Sequence, residues 1–319
     1  MRTLNVNKND AGQRLDKFLS KAVPGLPTSL MYKLVRTKKI KVNRKRTEHT
    51  YVLGEGDTVE LFIKEEFFDA PSENSALKLT PHIDILYEDE NIMLLDKRAG
   101  MIVHSDDKES TNTLISHVCA YLYQKGEYDP ARENSFTPAL CNRIDRNTGG
   151  IVIAAKNAQT LRIMNEKIKN REMKKKYLAA VHGILDKKEG VLTGYLKKDQ
   201  KTNTVEVFKN PPKGTDAKKI ITGYRVISEK NGLSLLEVDL ITGRTHQIRA
   251  HMASVGHPLL GDGKYGVNRD DKKLGYKFQA LYSYCLEFRF TSDSGILSYL
   301  NERKFKISED KIWFCREFD

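Results

Sequence analysis

Residues 141–156 read CNRIDRNTGGIVIAAK. The first half is polar and charged, with Asn142, Arg143, Asp145, Arg146, Asn147 and Thr148. It passes through Gly149 and Gly150 into the β-branched, apolar run 151–155, which reads as a core strand. One carboxylate, Asp145, therefore stands at the entrance to that strand. Taken alone, an Asp among arginines reads as a surface ion pair or a turn residue. The rest of the chain decides how far to go beyond that.

Downstream, residues 157–171 place Leu161, Ile163, Met164 and Ile168 at helical spacing, and 173–183 (MKKKYLAAVHG) read as a strand carrying Tyr177. Residues 193–219 are polar, lysine-rich and broken by Pro211, Pro212 and Gly214, which predicts a mobile hairpin arm beside a cleft. Two long strands, 220–228 and 233–241, are joined through Asn231-Gly232, a strong hairpin signal. Residues 242–262 (TGRTHQIRAHMASVGHPLLGD) read as a helix capped by Thr245 and ended by Gly256. His246 and Arg249 share one face of it, and Ile248, Met252 and Val255 point to the core. A zinc reading of His246, His251 and His257 fails because their spacing does not put imidazoles on one helical face. Residues 278–290 form a last strand. Trp313 carries no functional reading.

Upstream, the runs 83–87 and 92–95 flank Glu88-Asp89-Glu90-Asn91 as a β-hairpin. DKRAGMIVH follows at 96–104, then a helix over 113–123 and a polar loop over 128–138. Residues 65–80 turn acidic with Ser and Pro and read as a linker, with Phe67 and Phe68 docking on a neighbour. Before it lies a small unit, residues 1–64. It has two helices, the first with Leu15, Phe18 and Leu19 inward, the second starting near Thr28 or Ser29 with Met31, Leu34 and Val35 inward. Strand-like IKVN and a strand over 58–63 complete it.

The chain has 319 residues, enough for two domains, and 39% of them are hydrophobic. Its net charge of +12 favours a polyanionic partner, nucleic acid before membrane. Residues 1–64 hold 14 Lys or Arg against 6 Asp or Glu, so the excess is concentrated there. Arg36, Lys38, Lys39, Lys41, Arg44, Lys45 and Arg46 put seven cations within eleven positions, a candidate phosphate-binding face. The four cysteines are far apart, which predicts reduced thiols. No apolar signal core or membrane span is present, so a cytoplasmic protein is expected. No Gly-rich nucleotide loop appears either.

Residues 142–150 resemble the H-R-L-D-x-x-T-S-G motif of the RNA pseudouridine synthases of the RluA/RluD type. Here Asn142 replaces His, Ile144 replaces Leu and Gly149 replaces Ser. Residues 96–104 resemble that family's N-K-P-x-G-x-x-V-H, with Arg98 for Pro, and 175–183 resemble K-x-Y-x-A-x-x-x-G. Residues 243–252 match G-R-T-H-Q-I-R-x-H-M, and 256–262 match G-H-P-x-x-G-D. Residues 278–290 resemble the last family strand, with Tyr282 and Ser283 replacing His and Ala. Residues 13–63 resemble the alpha-L RNA-binding motif, named after the fourth small-subunit ribosomal protein.

The resemblance implies an α+β chain: an RNA-binding domain at 1–64 and a catalytic domain at 81–319 with a mixed, mostly antiparallel sheet flanked by helices. It implies that Asp145 is the catalytic carboxylate, held ionised by a bidentate pair with Arg249, and that Tyr177 stacks on the flipped uracil and helps remove its ring proton. Arg143, Arg244, His246 and Gln247 would bind phosphate or the flipped nucleotide, with Leu281 apolar beneath it. No cofactor and no metal are implied. The expected partner is large-subunit ribosomal RNA, with no obligate protein partner and a monomeric chain. A glycoside hydrolase would usually need two carboxylates, and only Asp145 stands in a motif. An RNA-binding assembly factor that no longer modifies ribosomal RNA is the alternative from another class.

Overall fold

The computed structural model describes residues 1–68, 77–104 and 111–319. The N-terminal unit runs β1 (Arg2–Asn5), α1 (Leu15–Ala22), α2 (Thr28–Arg36), β2 (Ile40–Val42) and β3 (Thr58–Leu61), with sheet order β1-β3-β2. Leu15, Phe18 and Leu19 of α1 and Met31 and Val35 of α2 close over Val42, Val59 and Leu61. α2 begins directly after Pro27, and neither Thr28 nor Ser29 caps it, because the chain enters the helix from an extended proline. Phe67 and Phe68 pack on this same core, and the Arg2 guanidinium lies 4.4 Å over the Phe68 ring. The expected linker therefore starts later than residue 65. Its residues 69–76 lie outside the described residues.

The second sheet is built from β4 (Ile85–Glu88), β5 (Ile92–Lys97), β6 (Ala139–Leu140), β7 (Gly149–Ala155), β8 (Met173–His182), β9 (Glu189–Asp199), β10 (Thr204–Phe208), β11 (Lys218–Lys230), β12 (Leu233–Leu240), β13 (Leu281–Phe288) and β14 (Lys304–Lys306). Its order is β10-β9-β11-β12-β8-β13-β7-β5-β4, with β6 beside β7 and β14 beside β13. Every pairing is antiparallel except β13 with β7. All seven residues of β7 are buried, as a strand covered on both faces must be. The hairpin of β11 and β12 turns on Asn231 and Gly232, both at positive φ (52° and 76°), as a two-residue primed turn requires. Residues 193–219 do form a hairpin, but β9 also pairs with β11 along eight residues, so the arm is part of the sheet.

The helices of this domain are α3 (Leu114–Gln124), α4 (Ala158–Lys169), α5 (Gln247–Ser254) and α6 (Arg269–Lys273). Thr113 caps α3 and Asn157 caps α4, each accepting a bond from an amide three residues on. One face of the sheet carries Ile151, Ile153, Leu178, Ala180, Tyr282 and Tyr284 against Met164 of α4 and the C-terminal Leu297, Leu300, Ile312 and Phe314. The tail thus plugs the core, with Trp313 stacked 5.8 Å from Tyr276. The other face carries Tyr177, Ala179, Val181, Leu236 and Val238 against Ile248 and Met252 of α5. Val255, expected inward, is 44% exposed, because α5 ends at Ser254 before that turn closes.

The two units meet through a polar interface. Asp10, with no exposed surface, accepts from Ser135 Oγ (2.6 Å) and Asn134 Nδ2 (2.7 Å). Asn9 Nδ2 donates to Glu133 (2.8 Å), Gln13 Nε2 to Ser135 Oγ (2.7 Å), and Arg162 of α4 to the Ala11 carbonyl (2.9 Å). No helix among the described residues is long and apolar enough to cross a membrane.

Candidate active site

Asp145 opens a turn closed by the Thr148 amide on the Asp145 carbonyl (3.0 Å), four residues ahead of the start of β7. Lys97, at the end of β5 and 1% exposed, donates to the carbonyls of Arg98 (3.0 Å), Met101 (2.8 Å) and Arg146 (2.8 Å). Three carbonyls meet three ammonium protons, so the loop after β5 and the Asp145 turn are stitched together. Burial pulls the Lys97 ammonium down to about 7, with the Asp145 charge acting the other way. On the approach to the turn, Asn142 takes the Ile153 amide (2.8 Å) on its side-chain oxygen and prolongs the β7 ladder.

Residues 242–262 deliver the cation. Thr245 does not cap α5: His246 precedes the helix in the left-handed region (φ 52°, ψ 19°), which turns its ring and Arg249 toward the same cleft. Arg249 Nη1 donates to Asp145 Oδ2 at 2.9 Å, a single bond rather than the expected bidentate pair. Its fork is taken by Asp262, from Nε at 2.7 Å and Nη2 at 2.8 Å. A buried guanidinium needs more acceptor than one partly exposed carboxylate offers, and fully buried Asp262 supplies it. Burial acts against the charge on both groups. Their mutual bonds more than offset it, raising Arg249 and leaving Asp262 below the usual carboxylate value. Asp145, with a quarter of its side chain exposed, keeps Oδ1 without a hydrogen-bond partner among the described residues.

His246 Nε2 lies 3.8 Å from Asp145 Oδ2, and its Nδ1 is 2.8 Å from the Tyr265 hydroxyl. That hydroxyl already accepts the Val205 amide (2.9 Å), leaving its hydrogen for Nδ1. With the hydroxyl hydrogen given to Nδ1, the imidazole proton is on Nε2, facing Asp145. Burial holds His246 below its ordinary value, the nearby Asp145 notwithstanding, so the ring is neutral at neutral pH.

Tyr177 lines the same cleft as Asp145, is 6% exposed, and pairs with Ser283 of the neighbouring strand β13. Burial, reinforced by the Asp145 charge, pushes the phenol up to about 12, so it stays protonated at neutral pH. Leu281 packs in the same cluster as Tyr177 and Ile248. Gln247, expected to bind substrate, is instead tied into the fold. Its oxygen accepts from Thr242 and the Arg244 amide, and its nitrogen donates to Thr222 and the Ile221 carbonyl. Arg143 and Arg244 are exposed.

All eight of these predicted residues line one cleft of about 1130 Å³. Its rim also carries Lys198, Lys264, Lys272 and Lys277, which the sequence patterns do not single out. Asp262 and Tyr265 were missed as well; the signal was a second charge in the G-D tail, thirteen residues from a buried arginine. The seven cations of residues 36–46 lie apart from the cleft. None has an ion-pair partner among the described residues, and all but Lys41 are exposed. Histidines 246, 251 and 257 do not converge: His251 Nδ1 meets Thr222 Oγ1 and His257 Nδ1 meets the His182 carbonyl.

Residues 91–254, from the start of β5 through α5, match the family model for RNA pseudouridylate synthase. An uncharacterized RNA pseudouridine synthase of Mycoplasma genitalium is 35% identical over 324 residues, covering 97% of this chain and 96% of that one. Ribosomal large subunit pseudouridine synthase C of Buchnera aphidicola subsp. Baizongia pistaciae is 33% identical over 279 residues, covering 86% and 84%. The solved structure of human RNA pseudouridylate synthase domain containing 1 shares the fold, with a TM-score of 0.53 at 19% identity over 75% of this chain and 98% of that one. A cleft that pairs one carboxylate with a guanidinium, on a sheet shared with these proteins and in a chain matched over half its length, makes this protein a member of the RNA pseudouridine synthase family, an enzyme that isomerises uridine in RNA.

Proposed function

We propose that the chain converts specific uridines of large-subunit ribosomal RNA to pseudouridine, with Asp145 as the catalytic carboxylate. The observation that carries this reading is the Asp145–Arg249 pair at 2.9 Å in the cleft, which among the described residues leaves one carboxylate oxygen unpartnered. The relatives from Buchnera aphidicola and Haemophilus ducreyi named ribosomal large subunit pseudouridine synthase C support the choice of RNA.

The isomerisation breaks the bond from the ribose C1′ to uracil N1 and makes one from C1′ to C5. C5 then loses a proton and N1 gains one, so no atom is gained or lost overall. Asp145 serves the sugar side, as nucleophile at C1′ or as base and electrostatic partner to the sugar when N1 departs. Arg249 orients it by the 2.9 Å bond to Oδ2 and supplies a positive charge beside it. Tyr177 forms the floor for the uracil ring. As a phenol pushed up to about 12 it is poorly suited to removing the C5 proton as a phenolate, so stacking is the role we retain for it. Arg143, Arg244 and His246 hold the flipped nucleotide and its phosphates. Extruding the base costs a few kcal/mol, which favours a loop or loosely paired target.

Residues 1–68 act as an alpha-L-like RNA-binding module through Arg36, Lys38, Lys39, Lys41, Arg44, Lys45 and Arg46. The chain works as a monomer in the cytoplasm, without a cofactor. Mapping pseudouridine in large-subunit ribosomal RNA incubated with wild type and with Asp145→Asn tests the proposal. Specific uridines converting only with wild type supports it. Conversion by Asp145→Asn overturns the role of Asp145, and tight binding without conversion by either protein favours the assembly-factor reading.

A further inference from the structure

β7 begins with two glycines whose missing side chains have different reasons. Gly150 has φ +112°, and a Cβ there would lie 2.2 Å from the Ser283 carbonyl oxygen, so backbone alone forbids a side chain. Gly149 has an ordinary backbone. A Cβ on it would lie 2.4 Å from Cε2 and 2.7 Å from Cδ2 of Tyr282. The obstacle is one side chain.

Tyr282 is directly beside Gly149 in the parallel pairing of β13 with β7. Its ring crosses β7 over that glycine, and its hydroxyl donates to Asp96 Oδ1 at 2.5 Å on β5. The ring is 8% exposed and lies in the core that faces α4. The strap thus joins three adjacent strands at the point where the Asp145 turn enters the sheet. Both of its ends adjoin residues that hold the site. Asp96 precedes Lys97, which bonds the Arg146 carbonyl, and Tyr282 precedes Ser283, which pairs with Tyr177 across β13 and β8.

We propose that Tyr282 is a positioning residue for Asp145, and that Gly149 and Tyr282 are an interlocked pair in which the ring fills the space a side chain at 149 would take. The two positions are also two of the places where the chain departs from the Ser and His of the family pattern. One compensated exchange accounts for both. A side chain at 149 added without removing the ring has to push β7 or β13, and the Asp145 turn moves with it. An imidazole at 282 lacks the phenol's far end and its tie to Asp96, so the smaller ring is free to tilt away and make room for the same side chain.

The inference rests on the Asp145 reading for its catalytic consequence. Its coupling is read independently, from rates and melting temperatures of Gly149→Ser, Tyr282→His and the double variant on ribosomal RNA. Gly149→Ser is expected to lower kcat by about tenfold to a hundredfold, with KM changing far less, as a displacement near 1 Å at the reacting group does. The double variant is expected to recover most of that loss, which a purely additive pair cannot do. A double variant no better than the worse single variant, unfolded ones included, overturns the proposal, as does wild-type kcat in Gly149→Ser. Asp145→Asn in the same assay reports separately on the carboxylate, since its retention of activity leaves the 149–282 coupling measurable.

Discussion

Arg249 gives both parallel arms of its guanidinium to Asp262, at 2.7 and 2.8 Å, and only a single N–H to Asp145. The fork fixes the plane of the guanidinium, and the remaining N–H is aimed as a consequence. Asp262 is itself fixed, since its Oδ1 also accepts the Lys264 amide at 2.9 Å. Asp145, the carboxylate proposed to react, is therefore held by the weaker half of a network whose stronger half is buried.

Asp262→Asn keeps the shape and removes the charge. Arg249 is then left buried with one partly exposed carboxylate, and it is free to turn its fork onto Asp145. We expect kcat to fall about tenfold or more, with RNA affinity little changed, because the loss is one of geometry at the reacting group. Asp262→Ala should destabilise the fold by about 3–5 kcal/mol, the cost of breaking a buried pair. Arg249→Lys retains a charge that serves one carboxylate at a time, so it should also be slow. Wild-type kcat in Asp262→Asn would show that Asp145 is aimed by something else.

His246 sets a pH dependence. Its pKa in the folded chain lies below the ordinary 6.5, chiefly through burial. Such a group is neutral at neutral pH, and the stability it contributes is complete above 6.5 and lost as pH falls through the folded value. The same proton creates an imidazolium 3.8 Å from Asp145 Oδ2, which competes for the carboxylate. The acid limb of kcat should therefore lie below pH 6.5 and diminish in His246→Gln. A limb centred above 6.5, or one unchanged in that variant, contradicts the assignment.

The parts of this site that were legible in the sequence are those whose signal is local. A run such as IVIAA reads as a core strand because all of β7 is buried on both faces. Asn231-Gly232 fixes a hairpin by its own backbone preference. Asp145 and Arg249 emerged from two motifs with distinctive side chains. What stayed hidden depends on pairings between distant segments. The fork of Arg249 goes to Asp262 because the chain turns back after α5, and Gly149 faces Tyr282 only because β13 inserts in parallel beside β7. The left-handed residue before α5 looked like a Thr cap because local spacing cannot say which backbone conformation the turn requires. β1 was invisible for another reason: it is a short edge strand with mostly exposed residues.

The cations of residues 36–46 give a prediction of a different kind. Arg44, Lys45 and Arg46 are exposed and, among the described residues, form no ion pair. Exchanging all three for Ser removes three charges able to neutralise RNA phosphates. The slope of log affinity against log salt should become shallower by about 0.7 to 0.9 for each phosphate that is no longer neutralised. The rate on saturating RNA should hold, because these residues lie apart from the cleft. An unchanged slope would remove this face from the RNA path.

The interface between the two units makes the last prediction. Asp10 is wholly buried between Asn134 and Ser135, and the loop carrying those two residues leads into β6 and then to the Asp145 turn. Because β6 and β7 pair at Ala139 with Ala155, the N-terminal unit is anchored near the end of β7 remote from Asp145. Seven residues of strand separate the two ends, roughly 20 Å at the usual rise per residue. An RNA that touches both the basic face and the cleft contacts both units, so the orientation of the units sets which RNAs satisfy both. Ser135→Ala with Asn134→Ala leaves the Asp10 carboxylate buried with only part of its bonding, which costs about 1–3 kcal/mol and loosens the units. The expected result is a separate, lower melting transition for the N-terminal unit, and a loss of rate on intact ribosomal RNA that a short target hairpin does not suffer. Equal losses on both RNAs would mean that the loop acts on the Asp145 turn itself rather than through the placement of the N-terminal unit.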